Sequence, residues 1–166
     1  MKDASIGIIF FAEKVLLIER RDVPVWVLPG GGIEQDELPE VAVVREVKEE
    51  TGLDVAVVRK VGLWLPINKI GAPAHVFECK ADVLPNTLAP CDESRAVRFW
   101  PIAELPKQLF FLHREWIEAA LEKAAKPTLA MMINLTYWNC FKLLLSHPIL
   151  AFRYLLSRLG LPINNG

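Results

Sequence analysis

The chain has few cysteines, and their number and spacing exclude two common uses of this residue. Cys79, Cys91 and Cys140 are an odd number, and no two of them stand in a CxxC spacing. We therefore expect neither a disulfide framework nor a cysteine-based zinc site, and a reducing cytoplasm is the natural setting. The N-terminus also lacks a basic region followed by an apolar run and a cleavage site, so no signal peptide is expected.

Acidic residues are absent from residue 127 onward, so charge is divided unevenly along the chain. All 20 acids precede Pro127, whereas three of the 19 bases, Lys142, Arg153 and Arg158, follow it. The formal net charge of −1 gives no reason to expect a nucleic acid as partner. Hydrophobic residues make up 52% of the 166 residues, which is enough for one domain with a sizeable core.

The most informative segment joins a glycine-rich loop to a helix that carries three glutamates. Residues 31–53 read GGIEQDELPEVAVVREVKEETGL. Pro39 suits the first turn of a helix that ends at about Thr51, where Gly52 can act as a left-handed cap. At about 100° per residue, three glutamates of this helix lie opposite its valine stripe. Adjacent carboxylates repel one another unless a hard cation binds them, so the segment indicates a divalent metal acting on a phosphate.

This segment resembles the Nudix box, the signature of the Nudix hydrolase family. The resemblance covers about residues 4–125 and implies an α+β fold, an αβα sandwich with a mixed sheet. It also implies hydrolysis of the pyrophosphate linkage of a nucleoside diphosphate joined to another group. The matching positions are Gly31, Glu37, Arg45, Glu46, Glu49, Glu50 and Gly52, with Val47 and Leu53 at the hydrophobic places.

The resemblance implies the metal ligands and limits the choice of base. Glu46, Glu49 and Glu50 would hold Mg²⁺, with Mn²⁺ as an alternative, and the carbonyl of Gly30 would be a fourth oxygen ligand. The ion would neutralise charge on the phosphate oxygens and lower the pKa of a bound water. The carboxylate that takes the proton of this water stays open among Glu46, Glu50 and Glu93, the last of which could also be a metal ligand.

Arg45 is the remaining catalytic candidate of the box. It lies at the edge of the acidic helix face, where it could orient Glu37 or Glu49 through a bidentate contact. A plain surface salt bridge is the alternative for this arginine. Glu34, inside the loop, resembles a position that often supports the metal cluster, although it could equally be solvated.

Substrate selectivity is expected outside the box helix. Two arginines near the end of the second predicted strand could meet a phosphate or be solvated edge charges. Three strand aromatics, Trp26, Trp64 and Phe77, could stack on a base, although an aromatic in a strand is more often part of the core. A glycine in the loop permits close approach of the backbone to a ligand. The candidate substrate-binding residues are Arg20, Arg21, Trp26 and Gly31.

Apolar runs around the box predict the remaining elements. A hairpin is expected over 6–11 and 15–18, and a short strand over 25–28 leads into the glycine loop. Two or more strands are expected within 53–66. Further strands are predicted over 74–83 and 97–100, and a helix over 110–123.

The C-terminal part of the chain lies beyond the resemblance. We predict one domain over residues 1–126 and an apolar helical extension over 127–166. Within the extension, 128–146 is apolar around most of a helix, and 148–159 would form a second, amphipathic helix. The extension could pack on the domain, form a homodimer interface or lie on an anionic membrane surface. A transmembrane span is not expected, because Lys142 interrupts the first apolar stretch.

Two other classes of function compete with a soluble magnesium-dependent pyrophosphohydrolase. A catalytically silent Nudix-fold module would bind a nucleotide without cleaving it. A membrane or partner adaptor would act through the extension. The complete set of box glutamates favours the enzyme, with a nucleotide-type small molecule as substrate and the cytoplasm as location.

Overall fold

A mixed β-sheet between two helices forms the fold. The structure is a computed structural model and describes residues 2–21, 25–69, 71–81, 88 and 94–139. The elements are β1 (Ala4–Phe11), β2 (Lys14–Arg20), β3 (Trp26–Val27), β4 (Gly30–Gly32), α1 (Pro39–Thr51), β5 (Val55–Leu65), β6 (Ala74–Ala81), β7 (Ser94–Pro101), a 3₁₀ turn (Ile102–Glu104), α2 (Phe111–Leu121) and β8 (Thr128–Met131).

Strand β1 stands at the centre of the sheet and joins its two parts. The strand order is β3-β2-β1-β6-β5-β8, with β4 paired to β1 and β7 paired to β2. The β1–β6 and β5–β8 pairs are parallel, whereas the other pairs are antiparallel. This mixed sheet is the architecture that the sequence predicts, and it includes the expected β1–β2 hairpin.

Side chains alternate between the two faces of the sheet, and each face carries one of the two helices in the described part of the chain. Ile6 and Ile8 of β1 belong to a core cluster that includes Trp116 of α2. Ile9, the next residue after Ile8, belongs to a second cluster that includes Val47 of α1. The sheet is therefore covered by α2 on one side and by α1 on the other.

Helix α1 has the bounds that the sequence predicts, because local signals set both of its ends. Pro39 is its first residue, where the missing N–H costs little. Gly52 has a φ of 76° and donates its N–H to the carbonyl of Lys48, which is the geometry of a left-handed C-cap. These signals end the helix at Thr51. The glutamates of its last turn then stand beside the glycine segment, where Glu50 contacts Gly30.

A single long strand occupies the region where two or more strands were predicted, so that prediction is wrong. Strand β5 has 11 residues, and its register against β6 shifts between Val57 and Arg59 and again between Lys60 and Gly62. A bulge interrupts the alternation of side chains without ending the ladder. The sequence pattern therefore resembles two strands although the backbone forms one.

The prediction of a helix over 128–146 is also wrong for the first part of that range. Strand β8 pairs with residues 62–65 of β5 instead. An open strand edge presents unpaired N–H and C=O groups, and pairing them overrides the helical pattern of the sequence. Residues 140–166, which include the second candidate helix, lie outside the described residues. Within the described part of the chain, no helix has the length and hydropathy needed to cross a bilayer.

Candidate active site

The glycine segment and the end of α1 meet through two glutamates. Strand β4 pairs with the start of β1, which holds the glycines beside the helix. Glu50 Oε2 accepts a hydrogen bond from the N–H of Gly30 at 2.7 Å. The carboxylate of Glu46 lies so close to Gly31 that a Cβ at that position would stand 2.5 Å from Oε2. Only glycine therefore fits at position 31 while Glu46 keeps its place.

Arg45 binds the carboxylates of three glutamates. Its Nε and Nη2 donate to the two oxygens of Glu37, each at 2.9 Å. Its Nη1 donates to Glu46 Oε1 at 2.8 Å and to Glu49 Oε2 at 3.3 Å. The sequence left Glu37 and Glu49 as possible partners for a bidentate contact with Arg45. Glu37 makes the bidentate contact, whereas Glu49 makes a single, longer hydrogen bond. One guanidinium thus makes charge-assisted hydrogen bonds to three carboxylates.

Glu37 fixes the loop between the glycine segment and α1. Its Oε2 also accepts the backbone N–H of Glu34 at 2.8 Å. The Arg45 guanidinium, followed by this N–H, lowers the pKa of Glu37 from its ordinary value to about 2. Glu37 is therefore ionised at neutral pH, and its contact with Arg45 ties residues 34–37 to the helix.

The donor set beside the glycine segment has the chemistry that a hard divalent cation requires. Glu46, Glu49 and Glu50 offer only carboxylate oxygens, and the glycine backbone adds carbonyl oxygens. As they stand, no three acidic, histidine or cysteine side chains are gathered in metal-binding geometry among the residues that the structure describes. Arg45 holds two of the carboxylates and Gly30 holds the third. A bound cation would take over these oxygens.

The strand aromatics lie in the core. Trp26 is 8% exposed and packs edge-on against Trp100, with 5.1 Å between the ring centroids. This burial favours the core alternative for Trp26 over stacking on a nucleobase. Trp64 and Phe77 are buried as well, at 4% and 0% exposure. The large apolar faces of these rings are used in packing between strands and helices, which is the more common use of a strand aromatic.

The two candidate arginines lie at the end of β2. Both side chains are exposed. The backbone N–H of Arg20 donates to Val25 O at 3.1 Å, and Arg21 Nη2 donates to Ser94 O at 3.3 Å. Ser94 is also the register partner of Arg20. Glu93, the candidate distal carboxylate, precedes Ser94 in the sequence and lies outside the described residues.

A cavity of about 470 Å³ opens beside Glu37, and sequence reasoning did not find it. The loop before α1 forms one side of the cavity, and Asp3 and His75 form another. His75 Nε2 lies 3.3 Å from Asp3 Oδ2, and His75 Nδ1 lies 3.2 Å from Lys60 Nζ. These residues are far apart in the sequence, and only the pairing of β1, β6 and β5 brings them together. No local motif could have indicated this cluster.

His113 of α2 anchors the chain that leads into the glycine segment. Its Nδ1 accepts the backbone N–H of Leu28 at 2.8 Å. Burial, followed by the charge of Arg20, lowers the pKa of His113 from its ordinary value to about 3. The imidazole is therefore neutral at physiological pH and can accept this hydrogen bond. No local pattern indicates this contact, because its partners are 85 residues apart in the chain.

Comparison with known proteins relates the chain to enzymes that act on pyrophosphate linkages. A family model for the NUDIX domain matches residues 1–120. The ADP-ribose pyrophosphatase of Methanocaldococcus jannaschii is 37% identical over 109 residues, which are 63% of this chain and 64% of that protein. An RNA pyrophosphohydrolase of Marinomonas sp. is 44% identical over 66 residues, which are 37% of this chain and 41% of that protein.

A solved structure supports the same fold. The ADP-ribose pyrophosphatase of Streptococcus suis superposes with a TM-score of 0.65 at 29% sequence identity. The superposition covers 78% of this chain and 98% of that one. By sequence, the matches to seven curated relatives cover between 21% and 64% of the length of those proteins.

Proposed function

This chain belongs to the Nudix domain family, and on that basis we propose that it hydrolyses the pyrophosphate linkage of a nucleoside diphosphate derivative. The observation that carries the proposal is the glycine segment with Glu46 and Glu50 held against it and the Arg45–Glu37 fork at its side. Two matched relatives are named ADP-ribose pyrophosphatase and RNA pyrophosphohydrolase, and hydrolysis of a pyrophosphate linkage is common to both names.

The family generally uses divalent metal ions. For this chain the proposed ion is Mg²⁺, with Mn²⁺ as an alternative, held by Glu46, Glu49 and Glu50 with the carbonyl of Gly30. When bound, the ion neutralises charge on phosphate oxygens and acidifies a water that becomes the nucleophile. Oxygen-only ligands on an open helix face suit magnesium, which shares its coordination shell with substrate phosphates.

Arg45 can keep its place while the carboxylates change partners. Its contact with Glu37 uses Nε and Nη2, whereas Glu46 and Glu49 share Nη1. Releasing the Nη1 contacts to a cation would therefore leave the bidentate fork intact. In this account Arg45 is a positioning residue that holds the loop before α1 and the acidic face of α1 in one arrangement.

The carboxylate that accepts the proton of water is proposed to be Glu46, Glu50 or Glu93. The environments of the first two differ. Glu50 accepts the N–H of Gly30, and Glu46, with 15% of its side chain exposed, accepts from Arg45. Glutamine variants at the three positions, compared by the pH dependence of kcat, would identify the base.

A hydrolysis screen tests the proposed function. Purified full chain is incubated with Mg²⁺ and with ADP-ribose, dinucleoside polyphosphates, nucleotide sugars and oxidised nucleoside triphosphates, and the products are separated by chromatography. We expect cleavage between two phosphorus atoms in at least one of these classes. Tight binding of a nucleotide without cleavage of any compound would favour the silent binding module instead.

A further inference from the structure

One edge of the molecule carries a large share of the exposed apolar side chains. Among the described residues, eleven large hydrophobic side chains are exposed, and five of them fall within ten consecutive residues. Exposed apolar side chains gathered in this way mark a surface that binds a partner, whereas scattered ones need no explanation. The five define the edge surface: Leu129 at 72% exposure, Met131 at 49%, Ile133 at 67%, Tyr137 at 65% and Trp138 at 62%.

The backbone of β8 turns the first members of the edge surface away from the core. Strand β8 is the last strand in the sheet order of the described chain. Its ladder continues one residue further, because the N–H of Met132 donates to the carbonyl of Leu65 at 2.8 Å. Side chains alternate along such a segment. Ala130 and Met132 pack in the core cluster on the α2 side, so the exposed side chains between and beside them point outward.

A turn holds the two aromatic members of the edge surface beside the end of β8. The N–H of Thr136 donates to the carbonyl of Asn134 at 3.0 Å, and Asn139 Nδ2 donates to the same carbonyl at 2.9 Å. Thr136 Oγ1 accepts the N–H of Asn139 at 3.1 Å, as an N-cap residue does. Tyr137 and Trp138 lie inside this closed turn, so they stand at the same edge of the molecule as the strand residues.

The charges of this segment have one sign. Residues 123–139 contain Lys123 and Lys126, both exposed, and no aspartate or glutamate. The acids that precede them in the sequence belong to α2 and its C-cap, and α2 covers the face of the sheet opposite Leu129. Glu115 of α2 reaches the turn, where it accepts a hydrogen bond from Asn134. The edge surface therefore combines exposed apolar side chains with cations of its own segment.

We propose that the edge surface binds the interface of an anionic lipid bilayer. Tyrosine and tryptophan rings have an apolar body and a polar tip, and they are enriched where lipid headgroups meet the hydrocarbon chains. Aliphatic side chains beside them add apolar area, and lysines add attraction to anionic headgroups. In this arrangement the chain lies on the bilayer and inserts only the side chains of the edge surface.

A second copy of the chain fits the edge surface less well. A two-fold contact brings the same patch of both subunits together. It would set Lys123 and Lys126 of one copy beside those of the other, and the segment has no carboxylate to compensate them. Anionic headgroups supply the opposite charge that a second copy lacks at this place.

Co-sedimentation of the full chain with vesicles tests the proposal. Vesicles of phosphatidylcholine are compared with vesicles that also contain phosphatidylserine. We expect affinity for the anionic vesicles to be about ten-fold higher or more, and to fall in high salt, because two lysines face the headgroups. Ile133→Ser and Tyr137→Ser should each lower this affinity by about five-fold or more, since each removes apolar area that enters the interface.

Matched controls separate the edge surface from general effects. Leu38→Ser changes an aliphatic residue of the same exposure, 66% against 67% for Ile133, before α1, and it should leave the affinity unchanged. Lys126→Glu should lower the affinity for anionic vesicles by about ten-fold. Lys107→Glu makes the same change of charge at an exposed lysine outside the segment, and it should lower the affinity by at most about two-fold. Circular dichroism verifies that each variant is folded.

Three outcomes would overturn the proposal. The first is that the full chain does not bind anionic vesicles. The second is an equal affinity of Ile133→Ser and Leu38→Ser for these vesicles. The third is a dimer in light scattering that Ile133→Ser converts to a monomer, which would assign the edge surface to a second copy.

A fluorescent label gives a result that does not depend on the affinity of the serine variants. A polarity-sensitive dye is attached to Ile133→Cys or to Leu38→Cys, in a full chain whose Cys91 and Cys140 are serine. Cys79 can remain, because burial raises the pKa of its thiol to about 12 and keeps it unreactive. Anionic vesicles should shift the emission of the dye at position 133 to the blue and leave the dye at position 38 unchanged. The same response at both positions would refute the proposal.

Discussion

Arg45 is the side chain on which the charge balance of the site depends. Its one planar group forms ion pairs with the carboxylates of Glu37, Glu46 and Glu49. A planar guanidinium can donate two parallel hydrogen bonds to one carboxylate and still reach others, whereas an ammonium is a point charge. The loop before α1 is therefore tied to the helix by geometry as well as by charge.

Replacing Arg45 with lysine should lower kcat/KM by about 10–100-fold, because the bidentate contact with Glu37 is lost and the loop before α1 is no longer held. Steady-state hydrolysis of the substrate found by screening is the measurement. The matched control is Lys48→Ala on the same helix, which removes only the exposed pair with Asp54. Equal losses in the two variants would contradict the role given to Arg45.

His113 should make the protein less stable as pH falls below neutrality. Its pKa is about 3 in the folded chain and has its ordinary value near 6.5 in the unfolded chain. Above pH 6.5 both states hold a neutral imidazole, so the group adds no pH dependence. Between pH 6.5 and 3 only the unfolded chain takes up the proton, so the free energy of unfolding falls by up to about 1.4 kcal/mol per pH unit.

Urea unfolding at several pH values between 4 and 7.5 measures this dependence. His113→Gln keeps an acceptor for the N–H of Leu28 and should have a flatter profile than the wild type. Parallel profiles for wild type and His113→Gln would show that His113 does not titrate as described.

The carboxylates of the box could be found from the sequence because a single helix carries them at fixed spacing. Glu46, Glu49 and Glu50 stand at i, i+3 and i+4, and Arg45 precedes Glu49 by four residues, so periodicity alone places them on neighbouring positions of the helix surface. His113 could not be found in this way, since its partner Leu28 belongs to a distant strand. The two alternatives for Trp26 stayed open for a related reason, because the sequence does not show which aromatic side chains a neighbouring strand buries.

Among the helices and strands, the bounds that the sequence predicts correctly are those set by residues that start or end an element locally. Pro39 and Gly52 bound α1 through the covalent geometry of proline and the left-handed conformation of glycine. Strand β8 has no such signal, and its formation depends on the free edge of β5. The alternation of Leu129 outward and Ala130 inward is readable only when that partner is known.

The glycine segment should reject a side chain at Gly31 and tolerate one at the next position, Gly32. A Cβ at Gly31 would stand 2.5–2.7 Å from the carboxylate of Glu46, whereas a Cβ at Gly32 meets no atom within 4 Å. Gly31→Ala should therefore displace Glu46 and lower kcat by about 100-fold or more. This is the size of loss usually seen when a group that contacts the reacting atoms is removed. Gly32→Ala should stay within a few-fold of the wild type, as measured in the same hydrolysis assay. Similar activities of the two variants would contradict the packing of Glu46 on the loop.

For the whole molecule, the main question is where the folded domain ends. The family match covers residues 1–120, but Met132 and Leu135 are buried in the core cluster that contains Trp64 and Trp116. Asn134 also donates a hydrogen bond to Glu115 of α2. The beginning of the extension is therefore part of the same core, and the predicted boundary after residue 126 becomes an experimental question.

A chain that ends after residue 126 should be less stable than the full chain by about 3–6 kcal/mol, because it loses the buried side chains of Met132 and Leu135 as well as β8. A chain that ends after residue 139 keeps these contacts and serves as the control. Urea unfolding of the full chain and of the two shortened chains gives the differences in the free energy of unfolding. Equal stability of the chains ending at 126 and at 139 would contradict the packing of residues 128–135 on the domain.

The most direct test of the central claim is the turnover of Glu50→Gln compared with that of Glu40→Gln in the presence of Mg²⁺. Both changes remove one carboxylate from α1, but Glu40 is exposed in its first turn, whereas Glu50 contacts Gly30. The account predicts that Glu50→Gln lowers kcat by about 1,000-fold with an unchanged circular dichroism spectrum, while Glu40→Gln stays within about two-fold of the wild type. Equal turnover of the two variants would contradict a metal-bearing acidic face on α1.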